Sequence, residues 1–199
     1  MNKFLNGITQ ASLAPGRVRM DYKHRFETDS FSNLSPAGFA SLPPAIARHA
    51  QRTRPPRLRT TRDTRNPNNI LGHIIKVNLD NLHIQNPGEP YDCRISINFE
   101  VKVPTDVDIS ELTEPPSQEK PAQPDRKKDR LSYKHLAYSV DLTKVEQTGA
   151  PARYELELEV DAGVLKEQIE RGKRGEDSAY TDVVSGFLDN MTFLMRQAP

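Results

Sequence analysis

The feature that most constrains the fold is a strict alternation of acids and apolar groups in Arg153-Tyr154-Glu155-Leu156-Glu157-Leu158-Glu159-Val160. Successive side chains of a strand point to opposite faces, so Glu155, Glu157 and Glu159 project from the same face. Neighbouring carboxylates there stand roughly 7 Å apart, twice the rise per residue. At an effective dielectric of about 20, each adjacent pair repels by about 2 kcal/mol. Water, a set of cations or a metal ion must offset that repulsion. A helical reading fails, because the acids recur at every second residue.

Composition narrows the choice. Only 35% of the 199 residues are hydrophobic and Trp is absent, which is lean for a conventional core. Yet 28 basic residues meet 27 acidic ones, for a net charge of +1, so disorder driven by charge excess is not indicated. Many charges of both signs and few apolar groups suit a fold with one strongly polar interior or groove. The single cysteine, Cys93, excludes an intramolecular disulfide framework and a Cys-rich zinc site. It falls on the apolar side of its strand and is expected to be buried. His24, His49, His73, His83 and His135 lack metal-ligand spacing. No apolar run approaches membrane-spanning length, so a soluble, intracellular chain with no membrane partner is expected. No Gly-rich phosphate loop or nucleophile elbow is present.

Along the chain, residues 1–11 suit a short helix, and an alternating strand pattern begins at Arg17 and runs to Glu27. Ser30–Pro44 reads as loop, and Ala45–Arg52 as a short helix started by prolines. Strands are expected near Arg57–Asp63, over Gly72–Asn78 and around Cys93–Val101, with turns at Asn66–Asn69 and Asn86–Gly88. Pro104–Asp125, rich in Pro, Glu, Asp and Gln, is expected to be a mobile loop or insertion. Strands at Arg126–Tyr133 and Leu136–Val145 suit a hairpin that leads into the acidic strand. A helix is expected over Gly163–Arg171, then an amphipathic one carrying Tyr180, Val183, Val184, Phe187, Leu188, Met191, Leu194 and Met195. The sum is an α+β fold of about seven largely antiparallel strands, with helices on the apolar side.

The ionic faces are sorted by sign. Arg126, Lys128 and Arg130 share one strand face, Arg57 and Arg59 another, and Asp141 lies with Thr143. Cationic and anionic rows on separate strands suit polyphosphate bound with a divalent metal. The plainer alternative is a solvated face, since exposed charge rows are common on antiparallel sheets.

Several segments, in order, resemble the fungal-type mRNA 5′-triphosphatases, which are triphosphate tunnel metalloenzymes. They are Arg17–Phe31, Leu34–Ile46, Arg57–Asp63, Tyr91–Glu100, Arg126–Tyr133, Ser139–Val145 and the acidic strand. The resemblance implies a single tunnel domain over residues 1–199, a polar-lined antiparallel β-barrel with flanking helices. It implies Glu157 and Glu159 as ligands of Mg²⁺ or Mn²⁺, with Glu155 and Glu157 ordering water on the metal. Arg59, Lys76, Arg126, Lys128 and Arg130 would bind phosphate oxygens. Glu100 would position or activate the attacking water, and Asp141 and Thr143 would shape the site. The implied reaction removes the terminal phosphate of a nascent 5′-triphosphate RNA, the first step of capping. A nuclear homodimer working with an RNA guanylyltransferase is implied as well.

One departure stands out. The family opens with a Glu-x-Glu strand that completes the metal site, and no such pair precedes residue 100. The expectation is an N-terminally truncated domain, one strand short of closure, with weak metal binding and little activity alone. Two further readings stay open beside an RNA triphosphatase. One is a tunnel-fold protein that binds polyphosphate or RNA ends without catalysis, or acts on small triphosphates. The other is a β-rich interaction domain with a solvated face.

Overall fold

In the computed structural model the described residues are 1–53, 55–88, 91–118 and 121–198. The strands are β1 (Asp21–Leu34), β2 (Arg57–Asp63), β3 (Ile70–Ile84), β4 (Cys93–Val103), β5 (Thr113–Glu114), β6 (Arg126–His135), β7 (Tyr138–Gln147) and β8 (Ala150–Val160). The helices are α1 (Asn2–Ala11), α2 (Pro36–Ala40), α3 (Pro44–Arg52), α4 (Ala162–Lys173) and α5 (Tyr180–Gln197). The hydrogen-bonded order is β4-β3-β2-β1-β6-β7-β8, with β5 added to β1. This path begins at β4 and ends at β8, in keeping with the expected open sheet. The residues divide into two compact units. One holds Met1–Arg25, Asp129–Lys144 and the chain from Arg153 onward; the other holds Phe26–Lys128 and Val145–Ala152.

In the second of these units the register explains the two faces. Thr61 pairs with Asp29, Arg59 with Phe31 and Arg57 with Asn33 across β1 and β2. Arg57 also pairs with Lys76, and Lys76 with Glu100. Residues directly opposite in a ladder share a face, so Asp29, Thr61, Arg59, Arg57, Lys76 and Glu100 lie on one ionic face. The alternate residues Leu58, Ile75 and Val77 are almost wholly buried and form a core with Leu42 and Ala50. Phe39, Ile46 and Ala47 of the short helices pack on that core, with Phe99, Val101 and Val103 of β4. Burying such side chains contributes about 1.5–3 kcal/mol each.

The other unit repeats the logic. Tyr133, Leu5 and Leu194 form its buried core, joined by Leu131, Val140, Leu142 and Leu158. These strand residues alternate with Arg130, Asp141 and Glu157. The Tyr133 hydroxyl lies 2.6 Å from Asn2 Oδ1 and 2.8 Å from Asn6 Oδ1, which ties α1 to β6. Burial, with Tyr22 beside it, raises the Tyr133 phenol above its ordinary value. Tyr154 and Leu156 on the apolar side of β8 remain exposed.

Several element expectations need correction. The first strand starts at Asp21 rather than Arg17, and it continues to Leu34 where Ser30–Pro44 reads as loop. Pairing with β2 and β5 supplies the hydrogen bonds that hold this polar stretch extended. Within the same stretch, Ser35 caps α2 by accepting from Gly38 N at 3.0 Å. A side chain at Gly38 would meet Leu112 O at 2.1 Å, so the close approach requires glycine. Leu136 turns between β6 and β7 with φ 52°, instead of opening the strand. Within Pro104–Asp125, Thr113–Glu114 forms a strand on Asn33 and Leu34; residues 119 and 120 of that expected loop lie outside the described residues. Cys93 is half-buried rather than buried.

Candidate functional site

Lys128 is the most enclosed of the expected phosphate-binding cations, at 6% exposure. Its Nζ forms an ion pair with Asp29, which is completely buried. Asp29 Oδ1 accepts a 2.7 Å hydrogen bond from Thr61 Oγ1. Burial alone would raise the Asp29 carboxyl; the Lys128 ammonium, the Thr61 hydroxyl and the Arg59 charge outweigh it and hold the carboxyl below its ordinary value. The structure therefore pairs Lys128 with the Asp29 carboxylate and places Arg59 on the same face of the sheet. Arg59 Nε is buried with no hydrogen-bond partner among the described residues, as suits a guanidinium shaped to receive an anion.

Lys76 and Glu100 meet at 3.4 Å, and both remain well exposed. Arg126 opens β6 on the same parity as Lys128 and is half-buried. Arg57, also on this face, bonds to the Gln123 side chain.

In the other unit Arg130 sits between two carboxylates. It donates to Asp141 Oδ2 at 2.5 Å and lies 3.8 Å from Glu157 Oε2. Thr143 is 2% exposed, and its hydroxyl makes no hydrogen bond among the described residues. Glu155 is half-buried, while Glu157 and Glu159 are exposed. Among the described residues no three of His, Cys, Asp and Glu gather as a metal site. The β8 carboxylates are nonetheless the oxygen donors that Mg²⁺ and Mn²⁺ prefer, and Mg²⁺ is commonly held by one or two carboxylates together with substrate phosphates.

Asp29 is the residue that sequence reasoning missed, together with its neighbour Glu27. Glu27 is 6% exposed, and two-residue spacing puts both acids on one face of β1. That spacing was the available signal. It was hidden because the flanking residues are polar on both faces and give no apolar period.

The antiparallel sheet, with its sorted ionic face and helix-covered apolar residues, shares its fold with a solved RNA triphosphatase. The structure of S. pombe Pct1 RNA triphosphatase in complex with the Spt5 CTD matches it with a TM-score of 0.74 and 26% identity, covering 100% of this chain and 67% of that one. A family model, mRNA capping enzyme, beta chain, matches residues 1–199, and the chain belongs to that family. Among relatives, the mRNA-capping enzyme subunit beta of Schizosaccharomyces pombe is 26% identical over 202 residues, spanning 99% of this chain and 58% of the relative. The Candida albicans subunit is 29% identical over 195 residues, spanning 96% of this chain and 34% of the relative. The chain thus spans less than two thirds of the length of these relatives.

Proposed function

We propose that the chain removes the terminal phosphate from a 5′-triphosphate RNA end, with Mg²⁺ or Mn²⁺ as cofactor, in the first step of mRNA capping. The observation that carries this reading is the enclosed cationic set, with Lys128 at 6% exposure and Arg59 Nε buried without a hydrogen-bond partner among the described residues. Donors held away from water act on phosphoryl oxygens far more strongly than solvated ones. Membership of the capping-enzyme beta-chain family supports RNA ends as the substrate.

In this reading Arg59, Lys76, Arg126, Lys128 and Arg130 hold phosphate oxygens. Asp141 fixes the Arg130 guanidinium through their 2.5 Å hydrogen bond. Thr143 offers its buried hydroxyl, and Glu100 orients the attacking water. Glu157 and Glu159 supply oxygen ligands to the metal, with Glu155 beside them. The metal, when bound, neutralises charge on the transferring phosphoryl group. The chain's own residues do little covalent chemistry; they position and neutralise. Contacts to phosphates leave RNA sequence unread. A second copy of the chain, an RNA guanylyltransferase and the nucleus complete the proposed setting.

The assay is phosphate release from triphosphate-ended RNA with Mg²⁺ or Mn²⁺. Turnover is expected, falling about 100-fold in Arg130→Ala and in Glu159→Ala. Robust turnover would also overturn the expectation of weak activity drawn from the missing acidic pair. A second reading, binding without catalysis, is favoured by the exposure of Glu157 and Glu159 and by the engagement of Glu100 with Lys76. RNA-end binding with no phosphate release under either metal would select it.

A further inference from the structure

We propose that the outward face of α3 holds the phosphodiester backbone of the RNA that trails the triphosphate, through Arg48 and Arg52. This rests on the reading of the substrate as an RNA 5′ end. Between Asp29 and Asp63 the chain carries six arginines and no acid. Helix α3 lies inside that stretch, and its two sides differ. Ala50 is buried, and Ile46 and Ala47 pack on the same core. Arg48, Gln51 and Arg52 are exposed, and their spacing of three and four residues puts them on one face. The helix is held in that rotation, because His49 Nε2 donates to Asn78 O of β3 at 3.0 Å. Neither Arg48 nor Arg52 makes an ion pair or a side-chain hydrogen bond among the described residues.

Arg52 in the last turn also complements the helix dipole. The dipole gives no reason for Arg48 or for the missing acids. A merely solvated helix face ordinarily mixes both signs and sets Glu against Arg at i,i+4. An unopposed positive face attracts polyanions, and its position makes RNA the polyanion. From Arg52 the chain reaches Arg57, the first residue of β2, within at most roughly 17 Å. Arg57 faces Lys76 on the ionic face, and Arg59 follows it there. Helix and strand belong to the same compact unit. A positively charged path therefore leads from the phosphate site, around the start of β2, to the helix. Arg48 and Arg52 stand about 6 Å apart along the helix axis, close to the step between phosphates of an extended single strand. Contacts of this kind fix the backbone and leave the bases unread.

The test measures binding of 5′-triphosphate RNA to the whole chain without divalent metal. A dinucleotide is compared with a strand of about 20 nucleotides across a salt series. The long strand is expected to bind at least about tenfold more tightly than the dinucleotide. In the double variant Arg48→Ala, Arg52→Ala that advantage should fall to about 2-fold. The slope of log affinity against log salt should shrink by about 1.4, or about 0.7 for each lost phosphate contact. The dinucleotide and inorganic tripolyphosphate should bind variant and parent alike. Arg48→Lys with Arg52→Lys, which keeps both charges, should retain the parent slope. An undiminished advantage in the alanine variant would overturn the proposal. So would an equal loss on tripolyphosphate, which would place the arginines in the fold or the phosphate site. Lost binding of polyglutamate with RNA binding unchanged would assign the face to an acidic protein and overturn it as well. If the parent chain binds neither tripolyphosphate nor the dinucleotide, the triphosphatase reading fails and the proposal falls with it.

Discussion

Lys128 and Lys76 each set an ammonium against a carboxylate on the same ionic face, yet the two pairs differ in almost every physical respect. The Lys128 and Asp29 side chains are 5% and 0% exposed, whereas those of Lys76 and Glu100 are 45% and 38% exposed. Water competes freely for the second pair and screens it, so it contributes little to stability. The first pair has left water behind, and losing either partner exposes the other to the cost of a buried charge. An ion pair of the same chemistry is thus a structural commitment in one place and an adjustable contact in the other. Two residues of one expected class, phosphate-binding lysines, therefore have different jobs before any ligand arrives.

The largest effect expected from this contrast is on Asp29→Ala, which should lower the unfolding free energy by about 3–5 kcal/mol. Denaturant unfolding measures it, and a loss under about 1 kcal/mol would erase the contrast. Asp141→Ala sharpens the comparison from the other unit. Its partner Arg130 is 17% exposed, intermediate between the two lysines, and the expected loss is about 2 kcal/mol, that of a hydrogen bond to a charged group.

A smaller effect is the pH dependence of the buried pair. The folded-state value of Asp29 lies below its unfolded value of 3.8. Its contribution is therefore complete above that value and is lost as pH falls through the lower folded one. Unfolding midpoints followed from about pH 6 to about pH 2 should fall less steeply in Asp29→Asn than in the parent chain. An identical acid limb would contradict the assignment. The smallest effect belongs to Lys76→Ala, expected to change stability by less than about 1 kcal/mol and to do less still at high salt.

Legibility in the sequence followed the same division. The strand over Arg57–Asp63 was readable because Leu58 and Thr60 alternate with arginines, and the structure bounds β2 at those residues. The final amphipathic stripe likewise gave α5, with Leu194 at its buried end. The charged rows of β7 and β8 were readable as faces for the same reason, whereas in β6 Lys127 and Asp129 interleave the Arg126, Lys128 and Arg130 row and only Leu131 and Tyr133 mark the apolar side. The second half of β1 was not. Thr28, Ser30 and Ser32 on one side face Glu27, Asp29, Phe31 and Asn33 on the other, so a single apolar residue breaks the polar run and no period emerges. Its extended form depends on β2 and β5, which are distant in sequence. The same blindness hid Asp29, whose importance comes from a lysine far along the chain.

The central claim, that the enclosed cations are a phosphate site, is tested most directly by a crystal structure of the chain soaked with inorganic tripolyphosphate and Mn²⁺. The account predicts phosphate oxygens within hydrogen-bond reach of Lys128 Nζ and the Arg59 guanidinium, with Asp29 still on Lys128. Tripolyphosphate bound away from both cations, in a chain whose Lys128–Asp29 pair is unchanged, would contradict it.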